Sequence, residues 1–131
     1  MSETVNWTVS VQVPAGPRIG HSGSMRVDAY DKLMIALEDG DIDREVQIQP
    51  GGPGRVRLLV IVTDHPSADL AYKVNSDEAD AIPLDQPVHA YIGTGPVALL
   101  DAAAGPTSLF FTNAAGAAAS IQIFVGRMAT S

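Results

Sequence analysis

Short runs of β-forming residues, each cut off by glycine, proline or aspartate, recur along nearly the whole chain. This rhythm constrains the fold more than any other feature. Val5–Val13, Arg55–Thr63, Ser108–Thr112 and Ile121–Val125 are its clearest runs. Along Thr4–Val13, Val5, Trp7, Val9, Val11 and Val13 point one way, and Asn6, Thr8, Ser10 and Gln12 the other. Side chains alternate across a strand with period two, so the spacing predicts a half-buried strand. Pro14-Ala15-Gly16-Pro17 ends it, because proline cannot donate to a ladder. Arg18–Ser24 reads as a glycine-punctuated loop.

Met25–Glu38 alternates in two stretches, interrupted at Tyr30-Asp31. A helix over Asp28–Leu37 is the competing reading, since Leu33, Met34 and Leu37 could share a helical face. Two strands, or one strand with a bulge, agree better with the β character of both neighbouring segments. Glu38-Asp39-Gly40-Asp41 is a turn signal, Glu45–Gln49 turns Val46 and Ile48 inward, and Pro50–Gly54 is the strongest break. Arg55–Thr63 places Val56, Leu58, Val60 and Val62 on one face and Leu59 and Ile61 on the other. A strand apolar on both faces is central and covered on both sides.

Leu70–Asn75, a short edge strand at Ile82–Leu84, and Val88–Ile92 follow, with a helical turn at Ala102–Ala104. Leu109–Thr112 and Ile121–Val125 read as a final antiparallel pair joined by Asn113–Ala119. Eight to ten short strands at regular spacing predict one all-β domain over residues 1–131. The expected architecture is a two-sheet antiparallel β-sandwich, jelly-roll-like or Ig-like.

A chain of 131 residues can bury a core without staples, and it contains no cysteine. That excludes disulfide and thiolate-metal scaffolds. The net charge is −7, and from Asp64 onward seven acids face only Lys73 and Arg127. Such a surface repels phosphate backbones and anionic bilayers, so nucleic acid and membrane insertion are not expected. The opening Met1–Ser10 has neither a basic nor an apolar signal region, and the longest apolar run, Leu58–Val62, is far too short to span a bilayer. A cytoplasmic location, or one within an assembled particle, is expected. Apolar residues make up 46% of the chain. That is the composition of a subunit with a second face to bury.

Each candidate for chemistry meets a plainer competitor. Asp39-Gly40-Asp41-Ile42-Asp43 begins like a calcium loop, but Arg44 stands where the loop needs glycine and Pro50 where it needs glutamate. Ser76–Asp80 is a second acidic loop that reads as solvated. Gly20-His21-Ser22-Gly23-Ser24 lacks the last glycine and the helix of a nucleophile elbow. A hydrolase built on His21, His65 or His89 is one reading, against structural histidines beside turns. No cofactor is expected. Tyr30 and Tyr91 are the aromatics best placed to serve as platforms for a ligand or partner.

Phe110-Phe111 carries a different message. Neighbouring strand residues face opposite sides, so one phenylalanine enters the core and the other faces outward. Leu59 and Ile61 raise the same question beside Leu58 and Val60. Leu59, Ile61, Phe110 and Phe111 are therefore the candidate subunit interface. The late segment from Ile92-Gly93-Thr94-Gly95-Pro96 through Phe124-Val125-Gly126-Arg127 resembles, in its glycine-rich turns and helix-poor strands, the small β-sandwich subunits of viral or phage-like particles. No functional residue carries across.

These observations together predict a non-catalytic structural subunit that self-associates into a homo-oligomer or larger particle, such as a shell, spike or tail component. The alternative is a β-sandwich module that binds a carbohydrate or another protein through its end loops.

Overall fold

In the computed structural model, which describes residues 3–48, 55–98, 100 and 106–128, the strands appear in the order that the rhythm announces. β1 (Glu3–Gln12) and β2 (Arg18–Val27) form a two-stranded sheet of their own. β3 (Ala29–Leu37), β10 (Ala119–Met128), β5 (Arg55–Thr63) and β8 (Val88–Ile92) lie side by side in one sheet. β4 (Arg44–Gln47), β9 (Ser108–Asn113), β6 (Leu70–Val74) and β7 (Ile82–Pro83) form another. Every pairing is antiparallel. A short helix, α1 (Thr94–Ala98), packs beside β5 and β8. The strongest break, Pro50–Gly54, and the turn expected at Ala102–Ala104 lie outside the described residues.

The partners β3 with β10, β4 with β9, β5 with β8 and β6 with β7 are what one long hairpin produces when it is rolled onto itself. This is the jelly-roll connectivity, and it decides between the two sandwich types. It also corrects one pairing. Leu109–Thr112 and Ile121–Val125 do not pair, because β9 and β10 sit in opposite sheets and Asn113–Ala119 crosses between them. Met25–Glu38 is indeed strand, but the break falls at Asp28: Met25–Val27 completes β2, and β3 starts at Ala29. Arg18–Ser24, read as a loop, is most of β2. Its serines and glycines are tolerated because the partner strand supplies the ladder from Glu3↔Val27 to Gln12↔Arg18.

The core lies between the two four-stranded sheets. Leu37, Leu59, Ile61, Ile121, Ile123 and Val125 face Leu70, Tyr72, Leu109, Phe111 and Val46. Full burial of such side chains contributes about 1.5–3 kcal/mol each. A bulge at Gly126/Arg127 shifts the β5 register, so Arg57 has no partner on β10. The extra residue flips the strand's phase. Val56 therefore joins the core row with Leu59 and Ile61, while Leu58, Val60 and Val62 form the outer row.

Asn113 holds the crossover together. Its side chain is fully buried; Nδ2 donates to Ala117 O (2.9 Å) and Oδ1 accepts from Ala115 N (3.1 Å). Its backbone bonds Gly40 and Asp41, each at 2.8 Å, and Asp39 Oδ1 accepts from Gly116 N at 3.0 Å. Gly116 sits at φ 86°, where a Cβ would be strained. Asn113→Ala leaves the part-buried Ala115 N and Ala117 O without their partner and empties a fully buried site, so it should lower unfolding free energy by about 1–3 kcal/mol in urea titrations.

Candidate interaction surface

The β1-β2 hairpin stands out from the sandwich as an arm. At about 3.3 Å per residue its ten paired positions reach roughly 30 Å. Only its base is fastened. Val27 is fully buried, Asp28 N donates to Arg127 O (2.9 Å), and Arg57 Nη1 donates to Arg26 O (3.2 Å). Val27 Cγ1 lies 3.1 Å from where a Cβ on Gly126 would sit, so glycine there lets the arm's base seat against β10.

One face of the arm is apolar along its length. Val5, Trp7, Val9 and Val11 share it with their cross-strand partners Met25, Gly23, His21 and Ile19. The predicted strand is there, and Val5 and Trp7 are half-buried near the base, but toward the tip that environment is lost: Val9, Val11 and Ile19 are 43%, 57% and 70% exposed. The reason is that no second sheet lies beneath the two-stranded arm. Trp7 lies over Gly23, with Cζ2 only 2.4 Å from the position of an added Cβ. The indole thus takes the place of the missing side chain.

The opposite face carries Thr8, Ser10, Arg18 and Ser22, with a 3.2 Å bond between the Thr8 and Ser22 hydroxyls. A groove of about 660 Å³ runs along the arm past these residues, open along its length rather than enclosing a ligand. Residues 3–27 hold two arginines and one glutamate, net +1, whereas the rest of the chain holds six basic and fourteen acidic residues, net −8.

A second apolar surface covers the outer side of β3-β10-β5-β8. Tyr30, Met34 and Ala36 on β3, Phe124 on β10, Val60 and Val62 on β5, and Val88, Ala90 and Ile92 on β8 face away from the core, with Lys32 and Gln122 among them. Met34 is 68% exposed, and Tyr30 stacks on Phe124 with centroids 5.5 Å apart. The outer side of β4-β9-β6-β7 is different. Glu45 and Lys73 flank Phe110, and Lys73 Nζ bonds Asp43 Oδ1 at 3.0 Å.

These placements revise the predicted interface. Leu59, Ile61 and Phe111 are fully buried between the sheets, so the faces assigned to a neighbour are the ones turned to the core. The bulge at Arg57 and the second sheet explain the reversal. Phe110 is the outward member of its pair, as the alternation requires. Tyr30 and Tyr91 cannot form one platform, because they lie on opposite faces and opposite edges of the same sheet.

Tyr91 belongs to a polar cluster that crosses the sandwich. Tyr72 Oη lies 2.5 Å from Tyr91 Oη and 2.7 Å from His89 Nδ1. His89 and Tyr91 are two apart on β8 and share its inner face, which is the spacing that could have revealed them. Tyr91 donating to Tyr72, and Tyr72 donating to neutral His89, satisfies all three groups. Burial pushes the Tyr72 phenol far above its usual pKa, with the Tyr91 hydroxyl adding to the shift. Burial also lowers the His89 pKa, opposed by Asp85, whose carboxylate is 4.0 Å from Nε2. The cluster ties β6 to β8 with its hydroxyls already engaged.

The other candidate groups have separate structural partners. Asp39 binds Gly116 N, Asp41 binds Glu38 N, and Asp43 binds Lys73 and Thr112. Three carboxylates turned toward separate partners do not converge on a cation. Among the described residues no group of three histidines, cysteines or carboxylates is placed to hold a metal. His21 packs beside Trp7 on the arm, and the backbone N of His65 donates to Thr63 Oγ1. The three histidines therefore serve three unrelated places. Among the described residues no helix is long and apolar enough to cross a membrane. No protein-family model, curated protein or solved structure matches the chain.

Two outcomes follow from these contacts. An imidazole with a lowered pKa is neutral in the fold but binds a proton in the unfolded chain below its ordinary value of 6.5. Stability is then fully present above pH 6.5 and falls as the pH drops toward the folded-state pKa. Thermal unfolding from pH 8 to pH 5 should show this decline, and His89→Gln should flatten it. Gly23→Ala should drive the Trp7 indole off the β2 backbone, red-shifting and broadening the emission of the chain's single tryptophan.

Proposed function

We propose that the protein is a non-catalytic structural subunit that self-associates into a homo-oligomer or larger particle, with the β1-β2 arm as its coupling element. The observation that carries this reading is the arm itself. It projects about 30 Å with an unpartnered row of Val9, Val11, Val13 and Ile19. Solvated on all sides, a two-stranded ribbon is only marginally stable, and this one keeps its costliest residues in water. Covering that row against another protein surface removes the cost.

The partner that fits is a second copy. An arm of net +1 approaches a body of net −8, an attraction that speeds encounter and orients it. The jelly-roll connectivity adds support by fold-level analogy, since shell-forming subunits commonly use it. The alternative, a glycan- or protein-binding module, draws no support from its two tyrosines, which the fold separates.

Size-exclusion chromatography with light scattering tests the reading. The wild-type protein should elute as a multiple of its 13.7 kDa chain mass. Val11→Asp combined with Ile19→Asp should shift it to a monomer while leaving the circular dichroism and unfolding midpoint near wild type. Each substitution removes an apolar contact of about 1.5–3 kcal/mol, so the association constant should fall at least tenfold per site. A wild-type chain that stays monomeric over its whole soluble concentration range would overturn the proposal.

A further inference from the structure

The arm needs a receiving surface, and the molecule presents two outer sheet faces of opposite character. We infer that the apolar face of the arm of one subunit lies across the outer face of β3-β10-β5-β8 of a second copy. This rests on the self-association just proposed and names the surface that accepts the arm.

Four observations choose that face. Along their paired stretches the outer rows of these strands carry no carboxylate and two cations, Lys32 and, at the end of β5, Arg55; Gln122 aside, the ground between them is Met34, Phe124, Val60, Val62, Val88 and Ala90. The competing face places Glu45 and the Lys73–Asp43 ion pair around Phe110, so an apolar ribbon laid there would strip water from charges without replacing their partners. The dimensions agree as well. β3 and β10 have nine and ten residues, about 30 Å, matching the arm's reach. Finally, Arg18 alternates with the apolar row, so it remains solvated when that row is covered, and its charge still draws the arm toward the acidic body of the neighbour.

A subunit cannot satisfy its own arm this way. The arm leaves from the end of its own sheet, and only its base, through Val27 and Gly126, touches that sheet. Val11 and Ile19 stay exposed in the single chain. Arm and receiving face are different patches of the same molecule, so each subunit gives one arm and accepts another. Such a contact either closes into a ring or reciprocal pair, or propagates.

Two defective variants test the pairing by complementation. Met34→Lys with Val88→Lys charges the receiving face at β3 and β8 through two exposed side chains. Val11→Asp with Ile19→Asp disables the arm. Each variant alone should run as a monomer with a wild-type circular dichroism spectrum. Mixed in equal amounts they should form a 1:1 complex of twice the chain mass, because one still offers an intact arm and the other an intact face. With Trp7→Phe added to the arm-defective partner, the remaining Trp7 emission should shift to the blue on mixing.

A face variant that assembles like wild type would overturn the inference and leave self-association standing. So would two variants that stay monomeric together. A monomeric wild type would remove both. Should the lysine variant lose its fold, the cysteine-free chain gives a second route. Val11→Cys and Met34→Cys proteins, mixed and treated with a short bis-maleimide, should cross-link to each other in preference to either homodimer. Dominant Val11→Cys homodimers would mean that arms pair with arms, and would refute the assignment.

Discussion

A two-layer sandwich lets each strand bury one face, and that limit shapes the whole molecule. β5 and β10 spend their single buried face on Val56, Leu59, Ile61, Ile121, Ile123 and Val125, packed against Tyr72, Leu109 and Phe111 of the other sheet. The same strands carry Val60, Val62 and Phe124 on the other side. No third layer exists among the described residues to cover them, apart from the arm's base, where Val27 and Leu58 meet at Gly126. An excess of apolar surface is thus a direct consequence of fitting this sequence into two layers. The arm extends the same imbalance, since a two-stranded ribbon leaves both faces in water.

Polar groups locate the layers rather than drive their packing. The Tyr72, His89 and Tyr91 cluster fixes β6 opposite β8, and the buried Arg127 pairs with Asp31 across β10 and β3. Asn113 and Asp39 fold the crossover against the Asp39–Asp43 turn. Each carboxylate of that turn has a specific backbone or side-chain partner. The acidic sequence that resembles the start of a cation loop is therefore a scaffold for the rolled hairpin. Burial makes these ties costly to break, which is why His89 is expected to report on acid through stability.

Much of the fold was legible because alternation is a local property. Val5–Val13, Val46 with Ile48, Leu70–Val74 and the opposed phenylalanines Phe110 and Phe111 could all be read from spacing alone, as could the two-strand reading of Met25–Glu38. Arg18–Ser24 was not, because its serines and glycines carry no strand propensity and take their conformation from β1. The reversal at Leu59 and Ile61 has a similar origin. One bulged residue, Arg57, changes the phase of β5, and the bulge exists only in the pairing with β10. Of the candidate surface, the apolar row from Val5 to Val13 was visible in the sequence. Its exposure was not.

Sequence by itself determined that the fold would be dominated by β-strands, where most of them lie, and which residues share a face, because pleat geometry acts between neighbours two apart. Tertiary structure alone decided which of those faces meets a second sheet. It placed β9 and β10 in opposite layers, closed Tyr91 inward against Tyr72, and left Val9 and Val11 of β1 in solvent. The physical reason is that covering a face depends on strands far apart in the chain, and on whether two layers offer enough surface to cover every apolar row.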